Sequence, residues 1–126
     1  MKALNVVGSA YRGTLEEQDD TIVWITHAMK GAGADLDVLL RGSAVNYASK
    51  AQEVPALSFG ARKQKNSPRI AEDVAGLIGK GITVYVLDED LAERGLSDAD
   101  LIDGLTHVRR AEVPGLFDGY DHVWAW

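Results

Sequence analysis

The feature that most constrains this chain is a set of short, continuous apolar runs, each followed by glycine or acids and separated by stretches of helical period. Leu4 to Val7 ends at Gly8-Ser9, and Leu36 to Leu40 ends at Arg41-Gly42-Ser43. Ile82-Thr83-Val84-Tyr85-Val86-Leu87 lies between Gly81 and the acids Asp88-Glu89-Asp90, and is the clearest strand of all. A strand buried on one face alternates apolar with polar residues, whereas one buried on both faces reads as an unbroken run. Such runs alternating with helices imply a three-layer α/β/α domain with a mostly parallel sheet of roughly five to six strands.

Between the strands the period changes. A helix is expected to open at Gly13 or Thr14, with Glu16 and Glu17 in its first turn and Gly31-Ala32-Gly33 at its end. Leu15, Ile22, Ile25 and Met29 share its apolar face. Ala44 to Val54 reads as a short helix and Leu57 to Ala61 as a weak strand. Ser67-Pro68 is a capping hydroxyl followed by proline, so it is expected to start the helix that carries Ile70, Val74, Leu77 and Ile78. Asp90 to Arg94 reads as a brief helix. Ser97 to Asp100 starts another, with the acid three residues after its cap. Thr106 to Val108 reads as a strand, Glu112 to Phe117 as a short helix, and His122 to Trp126 as a last strand.

The chain has 126 residues, no internal repeat and no linker, which fits one domain over residues 1–126. Its apolar content of 46% suffices for a core without a disulfide or metal staple. The formal net charge of −6 argues against phosphate-backbone or anionic-lipid binding, so neither nucleic acid nor membrane is an expected partner. One local exception stands out. Arg62, Lys63, Lys65 and Arg69 fall close together, as either a solvated loop or an anion-binding one. No stretch reaches the ~20 apolar residues of a membrane span, and the Met1 to Val7 segment is too short to serve as a signal peptide. The expected location is the cytoplasm.

Several chemistries have no support. Gly8-Ser9-Ala10-Tyr11-Arg12-Gly13 lacks the glycine spacing of a dinucleotide loop, and there is no nucleotide-hydrolysis loop. His27, His107 and His122 are scattered, and no cysteine accompanies them, so no metal site and no cofactor are expected. His27 is expected on the polar, exposed face of the first helix. Asp88, Glu89 and Asp90 follow the best strand, where open α/β sheets place their ligands. Three adjacent acids equally suit a helix N-terminus.

The segment Gly81 to Leu87, followed by Leu91, Arg94-Gly95-Leu96, Asp103-Gly104-Leu105 and Gly119-Tyr120, resembles the DsrE/DsrF-like family. Gly42-Ser43-Ala44-Val45 resembles the glycine–valine turn that follows that family's second strand. The resemblance spans nearly the whole chain and implies a DsrE-like domain. Members are small α/β proteins that assemble as trimers or hexamers. Several relay sulfur as a cysteine persulfide, in sulfur oxidation or toward tRNA thiolation. By that resemblance the relay cysteine falls at Leu87, beside Asp88. A persulfide carrier needs a thiolate, which leucine cannot supply, and the sequence contains no cysteine.

Candidate ligand residues follow the strands: Ser9, Tyr11 and Arg12, then Arg41 and Asn46, then Asp88. Arg12 and Arg41 would hold an anion, with Tyr11 and Asn46 orienting it. Trp24 lies nearly opposite the apolar stripe of its helix, and Trp124 and Trp126 share one face of the last strand. Apolar surface in such places marks either an interface or local cover, and with the resemblance it points to a homo-oligomer, a trimer or hexamer. Three functions follow. The chain binds a small ligand or protein partner without carrying sulfur; it is a thiol-independent enzyme with Asp88 or a histidine as acid or base; or it is a structural subunit beside a cysteine-bearing relative.

Overall fold

The computed structural model of this protein describes residues 1–10 and 20–126. Five strands form one sheet: β1 (Lys2–Val7), β2 (Asp35–Leu40), β5 (Val84–Leu87), β6 (Thr106–Val108) and β7 (His122–Ala125). Their order is β6-β5-β2-β1-β7, and every neighbouring pair is parallel. A separate antiparallel hairpin, β3 (Ser58–Phe59) and β4 (Arg62–Lys63), stands in place of the single strand expected over Leu57 to Ala61. From β1 the chain steps in one direction through β2, β5 and β6. It then returns to place β7 on the other side of β1, so the topological switch point falls between β1 and β7.

The helices are α1 (Thr21–Gly31), α2 (Ile70–Gly79), α3 (Asp88–Glu93) and α4 (Val113–Asp118). Asp20 is extended rather than helical, and its side chain caps α1 by accepting from the N–H groups of Ile22 and Val23. Helix α1 therefore begins at Thr21. The start expected at Gly13 or Thr14, with Leu15, Glu16 and Glu17, lies outside the described residues. The stripe is also shifted: Ile22, Val23 and Thr26 are buried, while Ile25 and Met29 are only half-buried. Helix α2 begins two residues after Pro68 with no side-chain cap, because the turn that brings Ile70 onto the core leaves Arg69 non-helical. The expected helix over residues 44–54 is a 3-10 turn over Gly42–Ala48. The Ser97 cap and its Asp100 partner close a capping box as the spacing predicts.

The two faces of the sheet are covered unequally. On one side α1, α2 and the 3-10 turn seal a large core that runs from Val7, Val38 and Leu40 to Tyr47, Val74, Leu77 and Val86. Tyr47 is completely buried, and its hydroxyl donates to the second carboxylate oxygen of Asp20 at 2.6 Å. On the other side the short α4 covers Leu4, Val6, Leu39, Leu87 and Val108, leaving Tyr85, Phe117 and Tyr120 partly open. At the amino ends of the strands Asp37 is buried and accepts from the Thr83 N–H at 2.8 Å and the Tyr120 hydroxyl at 2.7 Å. Lys2 Nζ lies 3.3 Å from the same carboxylate.

Candidate functional site

The carboxyl ends of β1 and β2 meet in a tight loop pair. Gly42 adopts φ 56°, and a Cβ there would lie 2.9 Å from the Gly8 carbonyl oxygen, so this close approach of two backbones requires glycine. Ser43 Oγ accepts from the Ala10 N–H at 3.0 Å, and Asn46 Nδ2 donates to the Ser43 carbonyl at 3.0 Å. Ser9 and Arg41 are exposed here and Asn46 is half-buried. Three of the expected ligand residues are thus drawn to one place. Tyr11 and Arg12 lie outside the described residues.

Arg41 Nε and the Trp126 carbonyl oxygen both lie within 3.6 Å of a Cβ placed on Gly8. Trp126 continues the pairing of β7 with β1: its N–H donates to the Val6 carbonyl and its carbonyl accepts from the Gly8 N–H. Next to it an open apolar groove of about 650 Å³ runs between α1 and β7, walled by Ile22, Ile25, Met29, Trp124 and Trp126. Ile25 and Met29 stay half-exposed because they face this groove rather than the core. Asn5 is buried at its floor, where its Nδ2 donates to Thr26 Oγ1 at 2.9 Å and its Oδ1 accepts a long, 3.4 Å contact from Trp126 Nε1. The groove flanks the switch point between β1 and β7 and runs along the sheet face beside α1, with Trp126 at its carboxyl-end limit.

Asp88 belongs to a different constellation. It starts α3 and turns toward the sheet edge, where its Oδ1 lies 2.6 Å from His107 Nδ1 on β6. His107 Nε2 in turn lies 3.3 Å from Asp98. With a carboxylate at each ring nitrogen, His107 links α3, β6 and the 97–100 turn at an exposed edge of the sheet. The other two acids are equally engaged. Glu89 accepts from the Arg110 N–H at 2.6 Å, and buried Asp90 accepts from the Gly42 N–H at 2.6 Å and pairs with the Arg110 guanidinium at 3.1 Å. Among the described residues no group of three or more histidines and carboxylates is placed to hold a metal ion.

Leu87, which the family resemblance aligns with the relay cysteine, is buried beneath α4 with Leu4, Leu39 and Val108. His27 is not on an open polar face. It packs between α1 and α2, with Nε2 2.8 Å from the Asp73 carbonyl and its ring against Gly76. Trp24 is 54% exposed, as its position opposite the stripe predicts. Among the described residues no helix is long and apolar enough to cross a membrane.

Sequence reading overlooks Asn5 and does not separate Asp90 from its neighbours. Asn5 is the lone polar residue inside an apolar strand run, a signal that such a side chain must find partners inside. Asp90 is hidden among three adjacent acids, and only the fold separates the one that is buried from its neighbours. Among titrating groups, burial, with hydrogen bonds to Tyr85 and Asp37, raises the Tyr120 hydroxyl well above its ordinary range. The hydrogen bond to Asp37 and its charge raise Lys2.

No family model matches the chain, and no curated protein sequence matches it. Solved structures do. The ychN protein from E. coli superposes with a TM-score of 0.69 at 19% identity, covering 100% of both chains. The protein of unknown function MTH1491 from Methanobacterium thermoautotrophicum superposes at 0.59 with 13% identity, covering 98% of this chain and 96% of its own. At these identities the likeness is one of fold, and the fold is DsrE-like.

Proposed function

We propose that this chain is an oligomeric binding protein of DsrE-like fold that carries no persulfide itself. On this reading it takes a small anionic ligand with an apolar body at the carboxyl ends of β1, β2 and β7. The observation that carries it is an apolar groove of about 650 Å³ walled in part by Trp126, whose backbone carbonyl lies with the exposed Arg41 at the Gly8 turn. That volume falls in the range of small-molecule sites, which join mostly apolar walls to a few polar anchors. Trp124, Trp126, Ile25 and Met29 would enclose the apolar body, and Arg41 would meet the anion with Ser9 and Asn46 beside it. Binding is favoured over catalysis because the acids nearest the strand ends, Asp88 and Asp90, are already engaged within the chain.

A fluorescent aromatic sulfonate, 1-anilinonaphthalene-8-sulfonate, supplies both an apolar body and a fixed negative charge. Titrated into Trp24→Phe protein, it should bind with emission shifted to the blue. Trp126→Ala should weaken that binding by roughly tenfold, the scale of losing one large apolar wall. Undiminished binding by Trp126→Ala and Arg41→Met together would sink the reading. Light scattering on the purified protein tests the oligomer separately.

A further inference from the structure

Charge is divided unevenly along the chain. Residues 54–71 contain Arg62, Lys63, Lys65 and Arg69 and no acid, so a chain of net charge −6 carries −10 elsewhere. Much of that sits in one segment, since residues 88–103 hold seven carboxylates against Arg94 alone. The basic segment contains the β3–β4 hairpin, which carries Arg62 and Lys63, and two apolar side chains stand exposed on it and just before it, Phe59 at 63% and Leu57 at 48%. Among the described residues Arg62, Lys63 and Lys65 make no ion pair. In the acidic segment Asp88, Glu89 and Asp90 are engaged by His107, Arg110 and the Gly42 N–H; Glu93, Asp98 and Asp100 meet Arg94, His107 and Ser97 but stay exposed, as does Asp103.

An exposed aromatic and an aliphatic anchor, rimmed by cations, is the composition of an interface whose partner is acidic. From this complementarity we propose that the β3–β4 hairpin of one copy docks on the acidic 88–103 surface of the next. Leu57 and Phe59 supply the apolar centre, and Arg62, Lys63 and Lys65 face the carboxylates. The inference rests on the proposed homo-oligomer and gives that oligomer its contact. Two different patches meet at each junction, so the interface is heterologous and closes into a ring when the rotation allows. A nucleic acid or an anionic lipid surface fits the hairpin alone, but either would be repelled by the −10 borne by the rest of the chain.

The test is native mass by light scattering across salt, with charge reversals at exposed positions. Wild-type protein should dissociate at least tenfold more readily at about 0.5 M than at about 0.05 M salt, as screening shortens. Arg62→Glu with Lys63→Glu, and separately Glu93→Lys with Asp103→Lys, should each cause a similar loss. The chain carrying all four substitutions should regain assembly, because each reversed patch meets its reversed partner. Reversed pairs that dissociate without recovery in the combined chain would overturn the contact. An oligomer indifferent to salt and to both reversals would overturn it too, while leaving the oligomer standing. A monomer under every condition would remove both. Wild-type binding to vesicles of phosphatidylserine and phosphatidylcholine, lost in Arg62→Glu/Lys63→Glu and unaccompanied by self-association, would assign the hairpin to lipid instead.

Discussion

Strand β2 contains Asp37 and is followed directly by Arg41, and these two charges are treated in opposite ways. Asp37, near the amino end, is buried and holds three partners: the Thr83 N–H, the Tyr120 hydroxyl and the Lys2 ammonium. Arg41, just past the carboxyl end, is exposed and makes no ion pair among the described residues. A buried charge survives only when its hydrogen-bonding capacity is met inside, which makes Asp37 structural. On the proposed function, the exposed Arg41 is the cation that meets a ligand arriving from solution. The amino end of the sheet thus holds the fold together, whereas the carboxyl end of β1, β2 and β7 is where the proposed function places its ligand.

If that division holds, the largest effect should come from Asp37→Ala. The substitution strands a backbone N–H and a half-buried hydroxyl and leaves Lys2 without its partner. Losses of this kind sum to about 3–4 kcal/mol, which urea denaturation would report as a lowered midpoint with an unchanged slope. A cost below about 1 kcal/mol would mean that water replaces the lost carboxylate and that the amino end is less closed than its contacts indicate.

The carboxyl end is not open throughout, and Leu87→Cys tests where it closes. The substitution restores a thiol at the position matched by resemblance to the relay cysteine. Leu87 packs beneath α4, so the change should cost about 1–2 kcal/mol and yield a thiol that is shielded in the folded state. Modification by an aromatic disulfide reagent should be roughly 100-fold slower than in denaturant, tracking local opening rather than direct attack. A thiol that reacts at once would show that α4 lifts readily and would place this position among the accessible ones.

The alkaline limb of stability probes the amino end again, with a smaller effect. In the folded chain Tyr120 keeps its proton above pH 10.0, its ordinary midpoint, where the unfolded chain has released it. The folded state then binds more protons, so stability must fall as pH rises past about 10. Lys2 acts in the same sense: its pKa is raised from 10.5, so its contribution is present below that value and fades as pH climbs through the raised one. Because Tyr120 is only half-buried, solvent screening reduces the slope to below about 1 kcal/mol per pH unit. Tyr120→Phe should flatten it, whereas Arg41→Met should leave it alone.

The sequence discloses these two ends unequally. Continuous apolar runs make β1, β2 and β5 legible, because burial on both faces leaves its mark on every residue of a strand. Ser97 and Asp100 are legible for a similar reason, since a capping box is local chemistry at fixed spacing. Partners distant in the chain are not written in any window. Asp37 meets Tyr120 across 83 positions and Asp90 meets Gly42 across 48, so nothing near either acid shows that it is structural. The same holds for His27, whose partner Asp73 lies on another helix. At the carboxyl ends, Ser9, Arg41 and Asn46 are candidates by the rule that ligands gather there. The groove beside them is not legible, because it depends on β7 returning to pair with β1, and strand order is a property of the whole fold.

The smallest expected stability change is the most informative about function. Arg41→Met keeps the length and apolar stem of the side chain and removes only the charge. With no ion pair to break among the described residues, it should shift stability by less than about 0.5 kcal/mol. Its effect on the aromatic sulfonate should be larger, a three- to tenfold weakening of the order expected for one charge-assisted contact at a partly solvated site. The same variant should bind an uncharged naphthalene as well as wild type, because the groove walls are untouched. Equal loss for both probes would point to a collapsed groove rather than a missing anchor. Loss for neither would leave Arg41 as ordinary solvated surface and would erase the functional half of the contrast with Asp37.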